Sequence, residues 1–468
     1  MNSRPAVVVG VLAACGLAVS LMQTLVVPLL PRYPELLHAS TSTVTWLVTA
    51  TLVAGAVCAP VLGRLGDMYG RRRMLVVALG LVTAGSALGA LAPDINTLIV
   101  ARVLQGASLG VVPLGISIMR DLLPEGRVGS GVALMSSSLG IGGAVGLPIT
   151  GLVAEHTSWR WLFAGASVLG VILLLAVARW VRESPERSGG RFDLPGSIGL
   201  AVALVCLLLA ISKGAEWGAL PALGLVGVSL VVFAVWGRFE LRTRSPLVDL
   251  RVSARPAVLW TNVASVLIGF AMFASFLVTT QVLQAPVASG YGFGLSLVFA
   301  GVVLLPIGGA MGVFSPVSAR LSQRFGARTT LVLGTTILVL GNASLAVIPG
   351  TVGLVMLAAT VTAVGTALAY SALPLLIMDS VPSTETAAAN SLNTLMRMLG
   401  TSSCSAVTAA VATGLVVVVD GRTIPSAAAY SVVYVAAAGA ALVATAIAAI
   451  TLRGVARSAV AAELSPAQ

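Results

Sequence analysis

Charged side chains are scarce in this chain. Only 9% of its 468 residues are Asp, Glu, Lys or Arg, and Lys213 is the only lysine. A soluble domain carries about 25% charged residues. Here 57% of the residues are hydrophobic and the mean hydropathy is +1.02. This composition excludes an ordinary soluble domain and indicates a protein that crosses the lipid bilayer many times.

Cysteine is also rare, and each cysteine stands alone in an apolar run. The four are Cys15, Cys58, Cys206 and Cys404. Their isolation argues against a disulfide framework or a metal site, so we interpret them as small packing residues. The sequence contains no evident ATP-binding P-loop, metal cluster or catalytic triad. We therefore expect no cofactor, no metal and no enzymatic activity.

The net charge of +11 does not indicate a nucleic-acid partner. The basic residues form no patch with interleaved aromatic residues but lie in short loops between apolar runs, which is the pattern that sets membrane orientation. Twenty-one basic residues fall on the side that would hold both termini, and four fall on the other. Both termini are therefore predicted to be cytoplasmic.

Fourteen apolar runs are long enough to cross a hydrocarbon layer of about 30 Å as helices. The first continues to about Leu30, too long for the core of a signal peptide, and is expected to remain as a helix. The predicted spans are 6–30, 43–62, 74–92, 96–119, 131–153, 161–181, 195–212, 219–237, 257–283, 293–317, 329–348, 352–378, 388–418 and 427–451.

Two longer, charged loops at 182–194 and 238–256 bracket one pair of helices. This spacing predicts an all-α membrane protein with two six-helix bundles and a two-helix insert. The predicted domains are 1–181 (first bundle), 182–250 (linker and insert) and 251–468 (second bundle and short cytoplasmic tail).

The halves of the chain also resemble each other in sequence. Pro60–Leu65 followed by Gly70 is echoed by Pro316–Leu321 followed by Gly326. Duplicated halves with a cavity at the midplane between them are typical of secondary transporters.

Gly63–Arg73 is a charged, glycine-containing stretch between two apolar runs, and we interpret it as a short turn. Its pattern resembles the signature loop of the major facilitator superfamily, and the chain as a whole is most similar to the fourteen-helix drug:proton antiporter branch. Two further stretches carry the resemblance, Arg102-x-x-Gln105-Gly106 on the fourth helix and Gly142–Gly151 on the fifth. In the fifth-helix motif Pro148 is displaced by one residue, and Thr150 replaces a glycine.

The resemblance implies that the signature loop is a conformational latch. Its residues here are Gly63, Arg64, Asp67, Gly70 and Arg71. The aspartate is expected to face the start of a later helix, near Thr386–Asn390, in the outward-open state. The alternative is that the arginines only anchor the chain to the cytoplasmic side.

Arg102 and Gln105 are predicted to lie inside the membrane, where a buried charge is costly. In the resembled family an aspartate on helix one often titrates, but Met22 stands at that place. Arg102 would then either attract an anionic substrate group or be satisfied by backbone carbonyls and Gln105. The remaining candidates for proton coupling are Glu35, Asp94, Glu155, Glu216, Asp67, Asp121 and Asp379, and coupling could also be absent.

Arg397 shares one helical face with Asn390 and Asn393. That face is predicted to look inward, unless Arg397 extends to the cytoplasmic interface instead. On the fifth helix, Gly142 and Gly146 favour a tight helix crossing and Pro148 adds a bend. The resemblance adds a proton-sealing role for that helix.

Polar and aromatic residues within apolar spans are the candidates for a substrate cavity. They are Gln23, Thr24, Asn262, Phe270, Phe273, Gln281, Tyr370 and Asn393. The resulting hypothesis is a monomeric transporter in the bacterial inner membrane that exports drug-like or amphipathic small molecules by proton antiport with alternating access. The alternatives are a facilitator or importer of another solute, and a membrane sensor or scaffold that does not transport.

Overall fold

Fourteen long helices dominate the computed structural model, which describes residues 5–26, 29–30, 32–185, 187–348, 350–419 and 422–450. Residues 1–4 and the predicted cytoplasmic tail from residue 451 lie outside the described residues. The helices are α1 (Pro5–Thr24), α2 (Thr41–Tyr69), α3 (Arg71–Leu91), α4 (Ile95–Leu122), α5 (Glu125–His156), α6 (Arg160–Trp180), α7 (Leu194–Trp217), α8 (Ala219–Glu240), α9 (Pro256–Gln284), α10 (Leu297–Phe325), α11 (Ala327–Ala346), α12 (Val352–Met378), α13 (Thr386–Gly414) and α14 (Ala427–Ile450).

The signature stretch is mostly helix, which corrects its interpretation as a short turn. Helix α2 continues through Gly63 and ends only at Tyr69, although its apolar run ends near Leu62. The chain reverses at Gly70 alone, whose φ of 121° lies in a region that favours glycine. Gly326, with a φ of 84°, makes the equivalent break between α10 and α11.

Thirteen of the described helices are long and apolar enough to cross a membrane. The long helix that fails this composition test is α13, because it carries polar side chains such as Asn390, Asn393 and Arg397 along its length. Helix α4 is interrupted by a 3₁₀ segment at Gly106–Gly110, directly after Gln105.

A β-hairpin follows α13 where the sequence predicted more helix. Strand β1 (Val416–Val419) pairs antiparallel with β2 (Arg422–Pro425), and Val416 lies opposite Pro425. Four consecutive valines favour an extended chain because β-branched side chains fit a strand better than a helix. The predicted helix over 388–418 therefore ends earlier, at Gly414.

The α7–α8 pair lies beside α2 and α13. One hydrophobic cluster joins Ala56 of α2 and Leu395 of α13 to Leu204 of α7. At the other end of α7, the buried Lys213 Nζ donates to the Ser42 carbonyl oxygen at 3.0 Å, which ties this pair to the start of α2. The α7–α8 pair therefore covers one side of the contact between α2 and α13.

Candidate functional site

Asp67, in the last turn of α2, contacts the first turn of α13. Its carboxylate is fully buried and accepts hydrogen bonds from the backbone N–H groups of Ala387 at 3.2 Å and Ala388 at 2.8 Å. The first N–H groups of a helix have no partner within the helix, and the helix dipole favours an anion there. Asp67 thus lies at the stretch Thr386–Asn390, on the opposite half of the sequence.

Arg71 completes a buried ionic network around Asp67. Its Nε and Nη2 atoms donate to Asp67 Oδ1 at 2.9 and 2.7 Å, and Nη1 donates to Asp121 at the end of α4. Nη2 also donates to the carbonyl oxygen of Ser383, just before α13. One guanidinium therefore serves two carboxylates and also bonds to the other half of the sequence.

Gly63 allows α2 and α13 to approach each other closely. A Cβ atom at Gly63 would lie 2.8 Å from the carbonyl oxygen of Ala387 and 2.3 Å from Ser391 Oγ. Arg64 is also buried and its Nη1 lies 3.5 Å from Ser188 Oγ, in the loop before α7. All five residues of the predicted latch thus lie at or beside one contact, between α2, α3 and the start of α13.

Two further residues of this region were not selected from the sequence. Glu183 accepts hydrogen bonds from the backbone N–H groups of Arg72 and Arg73 at 3.0 and 3.2 Å, so it caps the start of α3. Arg120 Nη1 donates to Thr386 Oγ1 at 2.6 Å. No local sequence pattern marks these residues, because each one forms hydrogen bonds with a segment that is distant in the chain.

Gln323 makes the counterpart of the Asp67 contact in the second half of the sequence. When Gly326 is aligned with Gly70, Gln323 falls at the position of Asp67. Its Nε2 atom donates to the carbonyl oxygen of Gly126 at 2.9 Å, in the first turn of α5. The repeated sequence motif therefore makes two contacts between the halves of the sequence. In the second contact the uncharged amide of Gln323 takes the place of the Asp67 carboxylate.

Arg102 is satisfied by neutral acceptors. Its Nε donates to the Leu47 carbonyl oxygen at 2.9 Å, and its Nη1 donates to Gln105 Oε1 at 2.7 Å and to the Met22 carbonyl oxygen at 3.3 Å. The side chain is only 2% exposed. Among the two alternatives from the sequence, this geometry favours the structural one, in which carbonyls and Gln105 stabilise the guanidinium.

The fifth-helix motif packs against two neighbouring helices. A Cβ atom at Gly142 would lie 2.6 Å from the carbonyl oxygen of Leu17 in α1, and one at Gly146 would lie 2.0 Å from Thr24 Oγ1. Pro148 faces α10, where a Cβ atom at Gly301 would lie 3.3 Å from its ring. These close approaches give the motif a packing role between α1 and α10.

The predicted cavity residues lie at several places. Asn393 Nδ2 donates to Asn262 Oδ1 at 3.0 Å and to Ser265 Oγ at 2.6 Å, joining α13 to α9. Tyr370 lies under Arg397, with its ring centroid 4.8 Å from the guanidinium carbon. Asn393 and Arg397 are one turn apart on α13, so these polar contacts lie along one stretch of that helix.

The other cavity candidates are separate from these contacts. Gln23 has a buried Nε2 atom with no hydrogen-bond partner in the described part of the chain, and Thr24 donates to the Leu21 carbonyl oxygen. Phe270 and Phe273 pack on the hydrophobic core of the second half. Gln281 instead lines an outer pocket of about 270 Å³ with Tyr291. The structure thus does not bring all the candidates into one cavity.

The acids proposed for proton coupling have identifiable partners in several cases. Asp94 caps α4 by accepting from the Thr97 N–H at 2.8 Å, and this bond lowers the pKa of Asp94. Hydrogen bonds from Ser42 and Lys213 lower the pKa of Glu216. Burial raises the pKa of Asp379, an effect that the charge of Arg120 opposes. Glu35 is exposed, and the side chain of Glu155 lies outside the described part of the structure.

A pair of buried carboxyl groups that the sequence did not indicate lies at the end of the α7–α8 pair. Asp193 caps α7 through Oδ1, which accepts from the Gly196 N–H at 2.8 Å. Glu240, at the end of α8, is 2% exposed. The ideal Cβ position of Gly196 lies 2.4 Å from Asp193 Oδ2 and 2.8 Å from Glu240 Oε1, so the two carboxyl groups converge there.

Comparison with known proteins gives a consistent result. Residues 12–404 match the family model described as Major Facilitator Superfamily. The chain is 30% identical over 339 residues to the tetracenomycin C resistance and export protein of Streptomyces glaucescens, a match covering 71% of this chain and 62% of that relative. It is 31% identical over 304 residues to the lincomycin resistance protein of Streptomyces lincolnensis, covering 63% of each. The chain thus spans less than two thirds of the length of these relatives.

Solved structures with the same fold also match. The human organic anion transporter MFSD10 aligns over 96% of this chain and 100% of its own, with a TM-score of 0.68 and 17% identity. The proton:xylose symporter XylE aligns over 95% of this chain and 94% of its own, with a TM-score of 0.65 and 14% identity. At these identities the likeness concerns the fold alone.

Proposed function

This chain belongs to the Major Facilitator Superfamily, and we propose that it is a secondary transporter that exports drug-like or amphipathic small molecules in exchange for protons. Export is supported by the names of the two Streptomyces relatives, which describe resistance or export. The family consists of transporters, in agreement with the prediction that the chain is not an enzyme.

The proposed arrangement is two six-helix bundles, in residues 1–181 and 251–468, with the insert and its linker in 182–250. The protein acts as a monomer in the bacterial inner membrane, and both termini are cytoplasmic. The arginine-rich ends of α2 and α10 then face the cytoplasm, as the excess of basic loops on that side requires.

The observation that carries the proposal is the contact of Asp67 and Arg71 with the start of α13. Two backbone N–H groups of α13 bond to Asp67, and the Ser383 carbonyl accepts from Arg71. These three bonds cross between the proposed bundles and need only a rigid-body rotation to break. We interpret them as a latch that closes the cytoplasmic side while the outer side is open.

The contact between α5 and α10 supports rocking of the bundles. A Cβ atom at Gly308 would lie 2.6 Å from the Cβ atom of Ala144, and one at Gly301 would lie 3.3 Å from Pro148. Small residues at a crossing let two helices approach and roll on each other with little interlocking. The Gln323–Gly126 hydrogen bond lies at one end of this same contact.

Transport in proteoliposomes with an imposed pH gradient tests the proposal. Purified protein would be reconstituted and uptake of fluorescent cationic, neutral and anionic compounds measured with the gradient in either direction. Proton antiport predicts uptake that reverses with the gradient and stops when an ionophore removes it. Flux that is indifferent to the gradient would exclude antiport and leave a facilitator.

A facilitator is the second candidate function, and the environment of Arg102 favours it. In the described part of this site the guanidinium is satisfied by two carbonyls and Gln105, and Met22 contributes its backbone oxygen rather than a titratable side chain. Under this alternative the solute moves down its own gradient, and vesicles with equal pH on both sides would transport at the full rate.

A further inference from the structure

We propose that Arg397 and Tyr370 form the part of the substrate site that binds an anionic oxygen group on an aromatic substrate, such as an aromatic carboxylate. The proposal rests on the proposed transport function and names the chemical class of the substrate. It replaces Arg102, whose hydrogen bonds go to neutral acceptors, as the candidate for anion binding.

Arg397 lies deep in the bundle. It is eleven residues after Thr386, where the 29-residue helix α13 begins. At 1.5 Å per residue, its Cα is about 16 Å from the start of a helix about 43 Å long. An arginine side chain is about 7 Å long, so it does not span that distance to the interface. The alternative in which Arg397 extends to the membrane surface is therefore disfavoured.

The backbone that carries Arg397 is held firmly against α9. A Cβ atom at Gly269 would lie 2.5 Å from the Arg397 carbonyl oxygen, and one at Gly400 would lie 2.0 Å from the Val266 carbonyl oxygen. Two glycines, one on each helix, thus place the backbones in direct contact. A fixed backbone gives the guanidinium a defined position, which a binding site requires.

Most of the N–H donors of the Arg397 guanidinium have no hydrogen-bond partner among the described residues. It has five N–H donors, and the described structure shows one hydrogen bond from them, Nη2 to Thr394 Oγ1 at 3.1 Å. No salt bridge involves Arg397 among the described residues. The side chain is nevertheless only 6% exposed. An enclosed cation with few partners is costly, and an anionic ligand would offset this cost.

Arg71 and Arg102, two other buried arginines, each bond to several oxygen atoms. Arg71 bonds to two carboxylates and a carbonyl oxygen, and Arg102 to three neutral oxygen atoms. Arg397 differs from both, because its second contact is the face of an aromatic ring at 4.8 Å. A ring holds the guanidinium plane but accepts none of its in-plane hydrogen bonds.

The surroundings of Arg397 suit a planar ligand with an acidic group. A guanidinium fork binds a carboxylate through two parallel hydrogen bonds, and Tyr370 orients that fork. Two turns earlier on the same helix, Asn390 Oδ1 is buried and has no hydrogen-bond partner among the described residues, so this helix carries a second unsatisfied polar atom. An aromatic acid would match both the charge and the apolar walls of the bundle.

Equilibrium binding of three ligands with one shared ring tests this assignment. The full-length protein in lipid nanodiscs would be titrated with radiolabelled 1-naphthoate, with its neutral methyl ester and with 1-naphthylmethylammonium. We expect the carboxylate to bind at least tenfold more tightly than the ester. Arg397→Gln should remove this preference, Arg397→Lys should retain part of it, and the exposed Arg320→Gln should leave it intact.

A second measurement uses the unmodified protein, in case Arg397→Gln does not fold. Phenylglyoxal modifies accessible arginines, and mass spectrometry would report the modified fraction at Arg397. Naphthoate should slow this modification at least fivefold, and the ester should not. Equal binding of acid and ester, a preference that survives Arg397→Gln, or modification that naphthoate does not slow would each overturn the assignment.

These outcomes are separate from failure of the proposed transport function. Binding is measured at equilibrium, so a protein that prefers naphthoate but moves nothing across a vesicle membrane would refute transport and retain the anion site. A protein that transports compounds of every charge, without preference for the acid at Arg397, would refute the anion site alone.

Discussion

Replacing Asp67 by asparagine isolates the charge of the proposed latch. The side chain keeps its size, and its remaining oxygen still accepts one N–H from the start of α13. The substitution removes the charge that two backbone N–H groups and Arg71 bind. Hydrogen bonds to a charged group contribute about 1.5–3 kcal/mol each and neutral ones about 1 kcal/mol. Two charged bonds from α13, together about 3–6 kcal/mol, become one neutral bond of about 1 kcal/mol, so the loss is about 2–5 kcal/mol.

This loss of free energy destabilises mainly the conformation in which α2 contacts α13. At 1.4 kcal/mol for each factor of ten, 2–5 kcal/mol shifts the equilibrium between the closed and open cytoplasmic sides by about 30- to 4,000-fold. Spin labels at Arg127 on α5 and Arg324 on α10, both exposed, report that opening by double electron–electron resonance. The Asp67→Asn variant should populate longer label distances than the parent.

Asp94→Asn is the matched control for this experiment. Asp94 also accepts a backbone N–H at the start of a helix, but its contact lies within α4 and is exposed to solvent. Asparagine is a good N-cap residue, so this variant should leave the label distances unchanged. If Asp67→Asn gives the same distances as the parent, the bonds to Ala387 and Ala388 do not hold the bundles together.

Three other predictions concern single side chains. Gly63→Ala should lengthen the same label distance, because the added Cβ meets the Ala387 carbonyl oxygen, whereas Gly80→Ala has its nearest neighbour at 3.9 Å and should not. Glu240→Gln should raise the melting temperature in detergent at pH 8, because an amide beside Asp193 removes the repulsion of two buried carboxylates. An unchanged or lower melting temperature would argue that a proton or another group already neutralises the pair. Asp379→Asn should raise the melting temperature at pH 8 but not at pH 4. Burial raises the pKa of Asp379, so the folded protein loses stability as the carboxyl group loses its proton. Equal shifts of the melting temperature at the two pH values would contradict this reasoning.

The positions of the membrane helices were largely predictable, because hydropathy measures the same transfer free energy that inserts a helix into lipid. The ends were less predictable. Helix α2 continues seven residues beyond its apolar run, since a helix projecting into water needs no apolar side chains. The stop at Gly70 depends on a positive φ, which is a property of one glycine among fifty.

The partners of the buried charges were predictable only in part. The resemblance to a family motif indicated that Asp67 contacts the start of α13. The spacing of residues within the motif does not itself indicate which helix Asp67 contacts. The acceptors of Arg102 are mainly backbone carbonyls, which every residue has and no sequence pattern marks. Asp193 and Glu240 are 47 residues apart in the chain, and only the antiparallel packing of α7 on α8 brings their carboxyl groups together.

The sequence by itself determined that this chain is a membrane protein of many helices, which of its loops are basic and which segments resemble a known family. These properties depend on local composition, because each helix can enter the bilayer on its own hydropathy. The tertiary structure decided which arginines are satisfied, where the α7–α8 pair lies and which half each buried carboxylate contacts. Those outcomes depend on side chains from distant segments meeting in a medium of low dielectric constant, where one hydrogen-bond partner changes the role of a charge.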